Sequence, residues 1–399
     1  MAHTSTTVEV LIIGGGIIGN AIAYQLARQG REVLVMERQG VAVEAAASWA
    51  SAGGIRPQGL HAAEVALAHV ALARWPQLAE ELEADLHYRQ TGHLLLAESE
   101  VEAAQLQSAV QRQRELGFAE VSLLDPKTVA ELVPGLGPQI VAGSFSPAAG
   151  HADARRTTRA FADAARRLGA SYWTGSECLA LHRVAGRVVG ALTRQGLVQA
   201  EQTVLAAGAW SRTLSSSIGL QLPLRVRVLQ ALLSTPDAPG LLLPVLSTVK
   251  GTLSLKQQPG GAFLLGGGWS GDPTPDGRSY TLRKEQQQKN WHLACEVLPR
   301  LRKLRCASAW GGLQAQTLDD LPLLGSFSGL PGLTLALGSW HGFALAPAIG
   351  SALAHHLAGL PTPELDQLSP ERFAHCPASQ VAAFLHAPTS GNVLDDEHN

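Results

Sequence analysis

The run VEVLIIGGGIIGNAIAYQLARQGREVLVMER, residues 8–38, restricts the fold of this chain more than any other stretch. Val8 to Ile13 is a β-rich, mostly apolar segment, the composition of a parallel strand covered on both faces. Gly14, Gly15 and Gly16 follow at once, then Gly19. Ile18, Ile22, Leu26 and Ala27 recur at helical spacing until Gly30 stops the helix, and a second strand from Glu32 to Met36 ends in Glu37. Strand, glycine turn, helix, strand and acid in this register predict a βαβ unit that binds a dinucleotide. Gly14 permits the tight turn, Gly16 lets the backbone approach a pyrophosphate, and Gly19 lets the helix lie close to the strand. The helix N-terminus offers unpaired N–H groups to phosphates. Glu37, about twenty residues beyond the glycines, is placed to accept hydrogen bonds from ribose hydroxyls.

Such a unit uses a small part of 399 residues. With 46% hydrophobic content and single cores that stop growing near ~250–300 residues, about two domains are expected. Lysines and arginines are spread thinly and the formal net charge is −2, so no nucleic-acid footprint is present. Cys178, Cys295, Cys306 and Cys376 lie far apart without CxxC or Cys/His ligand spacing, which argues against a metal site or a disulfide scaffold. The start, MAHTSTTVEV, lacks a basic stretch followed by a long apolar one, and no apolar run approaches the ~20 residues of a transmembrane span. The expected compartment is the cytoplasm.

Three further segments bear on which dinucleotide is held. EAAASWASAGGIRPQ (44–58) is rich in small residues that let a chain pass beneath a pyrophosphate and a ring system. VLAAGAWS (204–211) ends a strand in a glycine turn. TLDDLPLLG (317–325) leads through another strand to GSWHGFALAPAIG (338–350), a glycine-bounded turn that opens a helix. A helix N-terminus there favours negative charge on a bound ring. In this order, from residue 8 to about residue 360, the motifs resemble the D-amino-acid-oxidase-type FAD oxidoreductases. That superfamily includes glycine oxidases, sarcosine oxidases and the flavin subunits of proline and hydroxyproline dehydrogenases.

The resemblance implies an α/β fold: a Rossmann-like FAD-binding domain built from separated segments, 1–85, 142–220 and 308–385, plus an antiparallel-sheet substrate domain, 86–141 and 221–307. The polar tail 386–399 is expected to be mobile. It implies that Gly14, Gly16, Ile17, Ile18 and Gly19 hold the pyrophosphate and that Glu37 and Arg38 meet the adenosine ribose. Ser48, Gly53 and Gly54 would lie along phosphates and flavin, and Cys178 where only the main chain touches adenine. Ala207, Gly208 and Trp210 belong to the second nucleotide-facing strand, while Gly312, Gly338, His341, Gly342, Phe343 and Ala344 would surround the flavin ring.

Departures from the family pattern carry the chemistry. Glycine and D-amino-acid oxidases place an arginine in the last turn to clamp a substrate carboxylate; here Trp340 or Ser339 stands there. Gly312 replaces the cysteine that links FAD covalently in monomeric sarcosine oxidases, so non-covalent FAD is expected. Arg56 is the foremost candidate for the substrate carboxylate, with a phosphate or surface carboxylate as its other reading. Lys256 is a second candidate, against the alternative of an exposed strand lysine, and Trp340 is a third contact. His341 is the candidate for proton transfer, or else shapes the flavin environment.

The expected reaction is oxidation of the C–N bond of a small amino acid or secondary amine of the sarcosine, proline or hydroxyproline type. Hydride passes to flavin and leaves an imine; the electron acceptor is oxygen, a quinone or a partner subunit, and an oligomer is compatible with this. The alternatives are a glycine oxidase of thiamine synthesis and a flavin-binding subunit of a hetero-oligomeric dehydrogenase. EVALAHVALARWPQLAEELEADL (64–86) predicts one amphipathic helix with Leu67, Val70, Leu72 and Trp75 in the core, and residues 280–301 predict another.

Overall fold

A computed structural model describes residues 6–250 and 253–387; of the tail expected over 386–399, residues 388–399 lie outside them. Thr6–Ile13, Ile17–Arg28 and Val33–Glu37 form the strand, helix and strand that the opening motif predicts. The first strand pairs in parallel with Val33–Glu37 on one side and with Gly196–Leu205 on the other. Ser171–Thr174 extends the parallel sheet beyond Val33–Glu37, and Leu333–Leu337 extends it beyond Gly196–Leu205. The chain thus leaves the first strand in one direction and returns on its other side. In open α/β sheets this reversal creates a crevice at the carboxyl ends of the strands.

The helix Ile17–Arg28 is buried from Ile17 through Ala27 because it is covered on every side. The sheet lies beneath it, and Gly342–Leu357 and Ala154–Arg167 pack against its flanks. A Cβ on Gly350 would fall 2.8 Å from the backbone of Ala21, so the two long helices cross at glycine distance. At the turn itself, Gly14 has φ +114° and a Cβ there would lie 2.4 Å from the carbonyl oxygen of Ala206. A Cβ on Gly19 would lie 2.1 Å from the carbonyl oxygen of Gly14. The first glycine supplies the turn and the last supplies the close approach, as the sequence predicts.

A second sheet, of eleven strands, is largely antiparallel. Its spine is the long pair Leu224–Ser234 and Cys306–Thr317, in register from Leu224↔Thr317 to Ser234↔Cys306. Two pairs depart from the antiparallel expectation, each joining remote parts of the chain: Val245–Thr248 runs parallel to His93–Ala97, and Cys306–Thr317 pairs in parallel with Ala45–Ala46. Ala142–Ser146 also joins this sheet.

The helix expected over 64–86 is broken. Val65–Arg74 is α-helical, Trp75–Gln77 is a 3₁₀ turn, and Leu78–Glu81 is a separate short helix. Pro76 has no N–H to continue the ladder and ends the first segment. The buried stripe is Leu67, Ala68, Ala71 and Trp75, and Leu72 is half-buried. Val70, expected in the core, is 48% exposed: it falls outside that stripe, which is the face turned to Gly342–Leu357. The helix predicted over 280–301 is observed as Lys284–Val297.

Lys256, on the strand Ser254–Gln257, is buried at 5% exposure. Burial lowers its ammonium from 10.5 to about 7, against a weaker opposing pull from Asp153. The unfolded chain therefore holds this proton to a higher pH than the folded one, and the group penalises the fold at neutral pH and below. Lys256→Met is expected to raise the unfolding free energy most at or below pH 7. The gain should shrink as pH rises from 7 towards 10.5, read from denaturant melts across pH. Gly19→Ala should lose about 1–3 kcal/mol by overpacking and lower the calorimetric midpoint by several degrees. Gly329→Ala, whose Cβ would meet nothing within 4 Å, should leave it unchanged.

Candidate active site

The carboxyl ends of the parallel strands open onto a cavity of about 1090 Å³ that continues to the second sheet. Ile13, Glu37, Ala206 and Leu337 mark the strand ends on its wall, and Gln230, Ser247 and Gln314 come from the second sheet. Of the residues singled out above, all but Gly19 and Lys256 line this space. Gly19 acts from behind, through the helix it seats against Gly14.

At one end the wall is nearly bare backbone. The N–H of Ile17 donates to Ser48 Oγ at 3.0 Å, and the N–H of Gly15 donates to Glu37 Oε2 at 2.8 Å. Glu37 Oε1 also accepts from the N–H of Gln39 at 3.0 Å. The acid at the end of the second strand thus braces the glycine turn. A Cβ on Gly16 would meet only Ser48 Oγ, at 3.4 Å, so this glycine faces the open cavity beside the helix N-terminus. The Arg38 guanidinium lies 4.4 Å from the ring centre of Trp210, a cation–π stack that covers one flank. Ala207 and Gly208 form the neighbouring edge. Cys178 shares this end; burial pushes its thiol up to about 12, which fits an inert side chain in a segment that works through its main chain.

Sequence reasoning missed Asn20. It is fully buried, and its Nδ2 donates to the carbonyl of Gly15 at 2.8 Å while its Oδ1 accepts from the Tyr172 hydroxyl at 2.9 Å. The signal was available: an amide in the first turn of an otherwise apolar helix has to find partners.

Gly53, Gly54 and Arg56 line the cavity together with the turn Gly338–Gly342. Gly53 has φ +72° and a Cβ there would lie 2.0 Å from the carbonyl oxygen of Ala152; a Cβ on Gly54 would meet nothing. Lys256 stands behind this segment, with Nζ 3.6 Å from where a Gly53 Cβ would be, and donates to the carbonyl of Ala152 at 3.5 Å. Arg56 is half-buried and opens onto the cavity, and desolvation lowers its guanidinium. Among the described residues its one hydrogen bond runs from Nη1 to the carbonyl of Gln58 at 2.8 Å. In the turn, Ser339 has φ +43°, and its carbonyl accepts from Gln314 Nε2 at 2.9 Å. Trp340 lines the same wall. Gly342–Leu357 begins here, so the N-terminal residues Gly342, Phe343 and Ala344 face the cavity.

His341 is tied down. Its Nδ1 lies 3.1 Å from both carboxylate oxygens of Glu64, a residue 2% exposed that also accepts from the N–H of His61 at 3.2 Å. Glu64 was not foreseen; the spacing His61–x–x–Glu64 is a capping box and was its only local signal. Gly312 sits under the small-residue segment, where a Cβ would fall 2.4 Å from that of Ala50. A cysteine does not fit at that position without a shift. Among the described residues Cys178, at the opposite end, is the one cysteine on the wall.

Comparison with known proteins agrees with this geometry. The family model described as "FAD dependent oxidoreductase", DAO, matches residues 9–356. Dimethylglycine dehydrogenase of Mus musculus mitochondria is 29% identical over 93% of this chain, which spans 45% of that protein's length. Glycine oxidase of Pseudomonas putida is 29% identical over 85% of this chain and 92% of its own length. Among solved structures, L-proline dehydrogenase from P. horikoshii superposes with a TM-score of 0.85 at 27% identity, covering 93% of this chain and 99% of that one.

The residues present suit FAD. Bare glycine backbone at Gly16 and Gly54 leaves room for a cofactor, and two helix N-termini face the space it would fill. The volume is at the upper end of the ~300–1,000 Å³ of small-molecule sites, as a dinucleotide with a substrate requires. Because the match runs from the first parallel strand into the last long helix, the chain belongs to the DAO family of FAD-dependent oxidoreductases.

Proposed function

We propose that the chain oxidises the C–N bond of a small secondary amino acid of the sarcosine, proline or hydroxyproline type, with Arg56 as its carboxylate clamp. The observation that carries this is Arg56 itself. A guanidinium with five N–H donors reaches the cavity, spends one on Gln58, and faces no carboxylate among the described residues. A half-buried, partly desolvated cation on the cavity wall calls for an anion, and a substrate carboxylate supplies it. FAD supplies the hydride acceptor when bound, and the imine product is hydrolysed by water. The protein's share is orientation: Arg56 fixes the carboxylate, Gly54 leaves room beside it, and Trp340 closes the wall. Tied to Glu64, His341 holds the turn in place, which supports its shaping role over proton transfer.

The turn His341–Gly342–Phe343 and the lack of an arginine within it favour a dehydrogenase-like enzyme over a glycine oxidase. We also propose that the candidate nucleotide, flavin and substrate residues on the cavity wall make those contacts, and that the chain divides into FAD and substrate domains as expected. Ala142–Ser146 and Cys306–Thr317, which hydrogen-bond into the second sheet, then act as the joints between the two.

Anaerobic addition of sarcosine, proline, hydroxyproline, glycine or D-alanine to the yellow protein should bleach the flavin band with one of the first three. Admitting air then separates oxidase from dehydrogenase. Bleaching by none of them refutes the reading. Arg56→Ala should weaken binding of the active acid by about 1.5–3 kcal/mol, the range for a hydrogen bond to a charged group. Unchanged affinity in the same titration would remove Arg56 from the clamp.

A further inference from the structure

The cavity wall also carries a hydroxyl whose polarity is set from behind. His93 is wholly buried, with Nδ1 2.7 Å from Gln58 Oε1 and Nε2 2.9 Å from Ser247 Oγ. Gln58 is 1% exposed, and its Nε2 faces the carbonyls of His93 and Ser144, each at 3.4 Å. Only the amide nitrogen can donate to two carbonyls, so Oε1 is the atom facing the imidazole and must accept. Nδ1 therefore carries the ring's proton. Burial, and secondarily the charge of Arg56, hold His93 well below its ordinary range, so the ring is neutral and Nε2 is a bare acceptor. Ser247 has one proton, and it goes to Nε2.

The consequence lies on the other side of Ser247. Ser247 lines the cavity with its proton committed, so towards a substrate its hydroxyl oxygen can act as an acceptor and has no donor to offer. Arg56 belongs to the same group: it donates to the carbonyl of Gln58 and its charge acts on His93. A cation and a hydrogen-bond acceptor linked through one buried chain of contacts match the two ends of an amino acid. We propose that Ser247 receives a hydrogen bond from the substrate's amine N–H, with Gln58 and His93 as positioning residues that keep its lone pairs turned to the cavity. This rests on the functional reading above, since the amine must belong to the acid held by Arg56. It gives the site a requirement that the arginine alone does not impose, namely an N–H on the reacting nitrogen.

The test uses the intact flavoprotein and two probes of one shape. One is the acid that bleaches the flavin; the other is its ether analogue, methoxyacetate for sarcosine or tetrahydrofuran-2-carboxylate for proline. Both are titrated anaerobically by their effect on the flavin spectrum. Ser247→Ala is expected to weaken the amine by about tenfold or more, the scale of a hydrogen bond from a charged donor. It should leave the ether's affinity unchanged, and Ser247→Thr, which keeps the hydroxyl, should restore much of the loss. Arg56→Ala should weaken both probes. Equal loss for both probes in Ser247→Ala, or no loss for either, overturns the assignment. So does a changed flavin affinity with unchanged substrate binding, which would put the hydroxyl against the cofactor. Failure of the parent protein to bind any amino acid refutes the functional reading and this assignment together. A loss seen only in the Ser247 variants concerns this residue alone.

Discussion

The contact between Gly19 and the carbonyl of Gly14 governs the rest of the molecule. With no Cβ on either residue, the first helix settles onto its own turn. That height lets the helix Gly342–Leu357 cross it at Gly350 and brings the N-termini of both helices to one cavity. A side chain at Gly19 would lift the helix and separate the two. Glu37 and Asn20 then brace the turn from opposite sides, the carboxylate through the N–H of Gly15 and the amide through its carbonyl. Gly15 is therefore held at both of its backbone polar atoms before any ligand arrives, a preorganisation that lowers the ordering cost of binding.

The second constraint is the joining of two sheets with different logic. The parallel sheet aims strand ends at the cavity, and the antiparallel sheet presents its side chains as the opposing wall. Polar groups on that wall cannot be left to solvent, and they are organised into chains: Gln58, His93 and Ser247 in one, Gln314 and Ser339 in another. Lys256, buried behind Gly53, and Arg56, half-buried on the cavity wall, cost the fold stability by desolvation, the kind of expense that functional sites carry.

Legibility in the sequence followed the range of the interaction. The glycine turn was readable because strand, helix and acid lie within one local run whose spacing has a single geometric meaning. The break at Pro76 was readable too, from proline's missing N–H, yet the apolar repeat concealed it. Val70 was misplaced because an i, i+3 apolar pattern does not say which of two adjacent faces a neighbouring helix will cover. Glu64 and Asn20 were missed for a different reason: their partners, His341 and Tyr172, stand 277 and 152 residues away.

What the sequence by itself determined is the dinucleotide-binding unit and the family, since both are written in local spacing and in the order of motifs along the chain. Only the tertiary structure decided that Lys256 is buried behind Gly53 and is no surface lysine, that His341 is tied to Glu64, and that Ser247 turns an acceptor to the cavity. Each depends on what stands opposite a side chain once distant strands pair. Burial and hydrogen-bond partnership are properties of that pairing and of no single stretch of sequence.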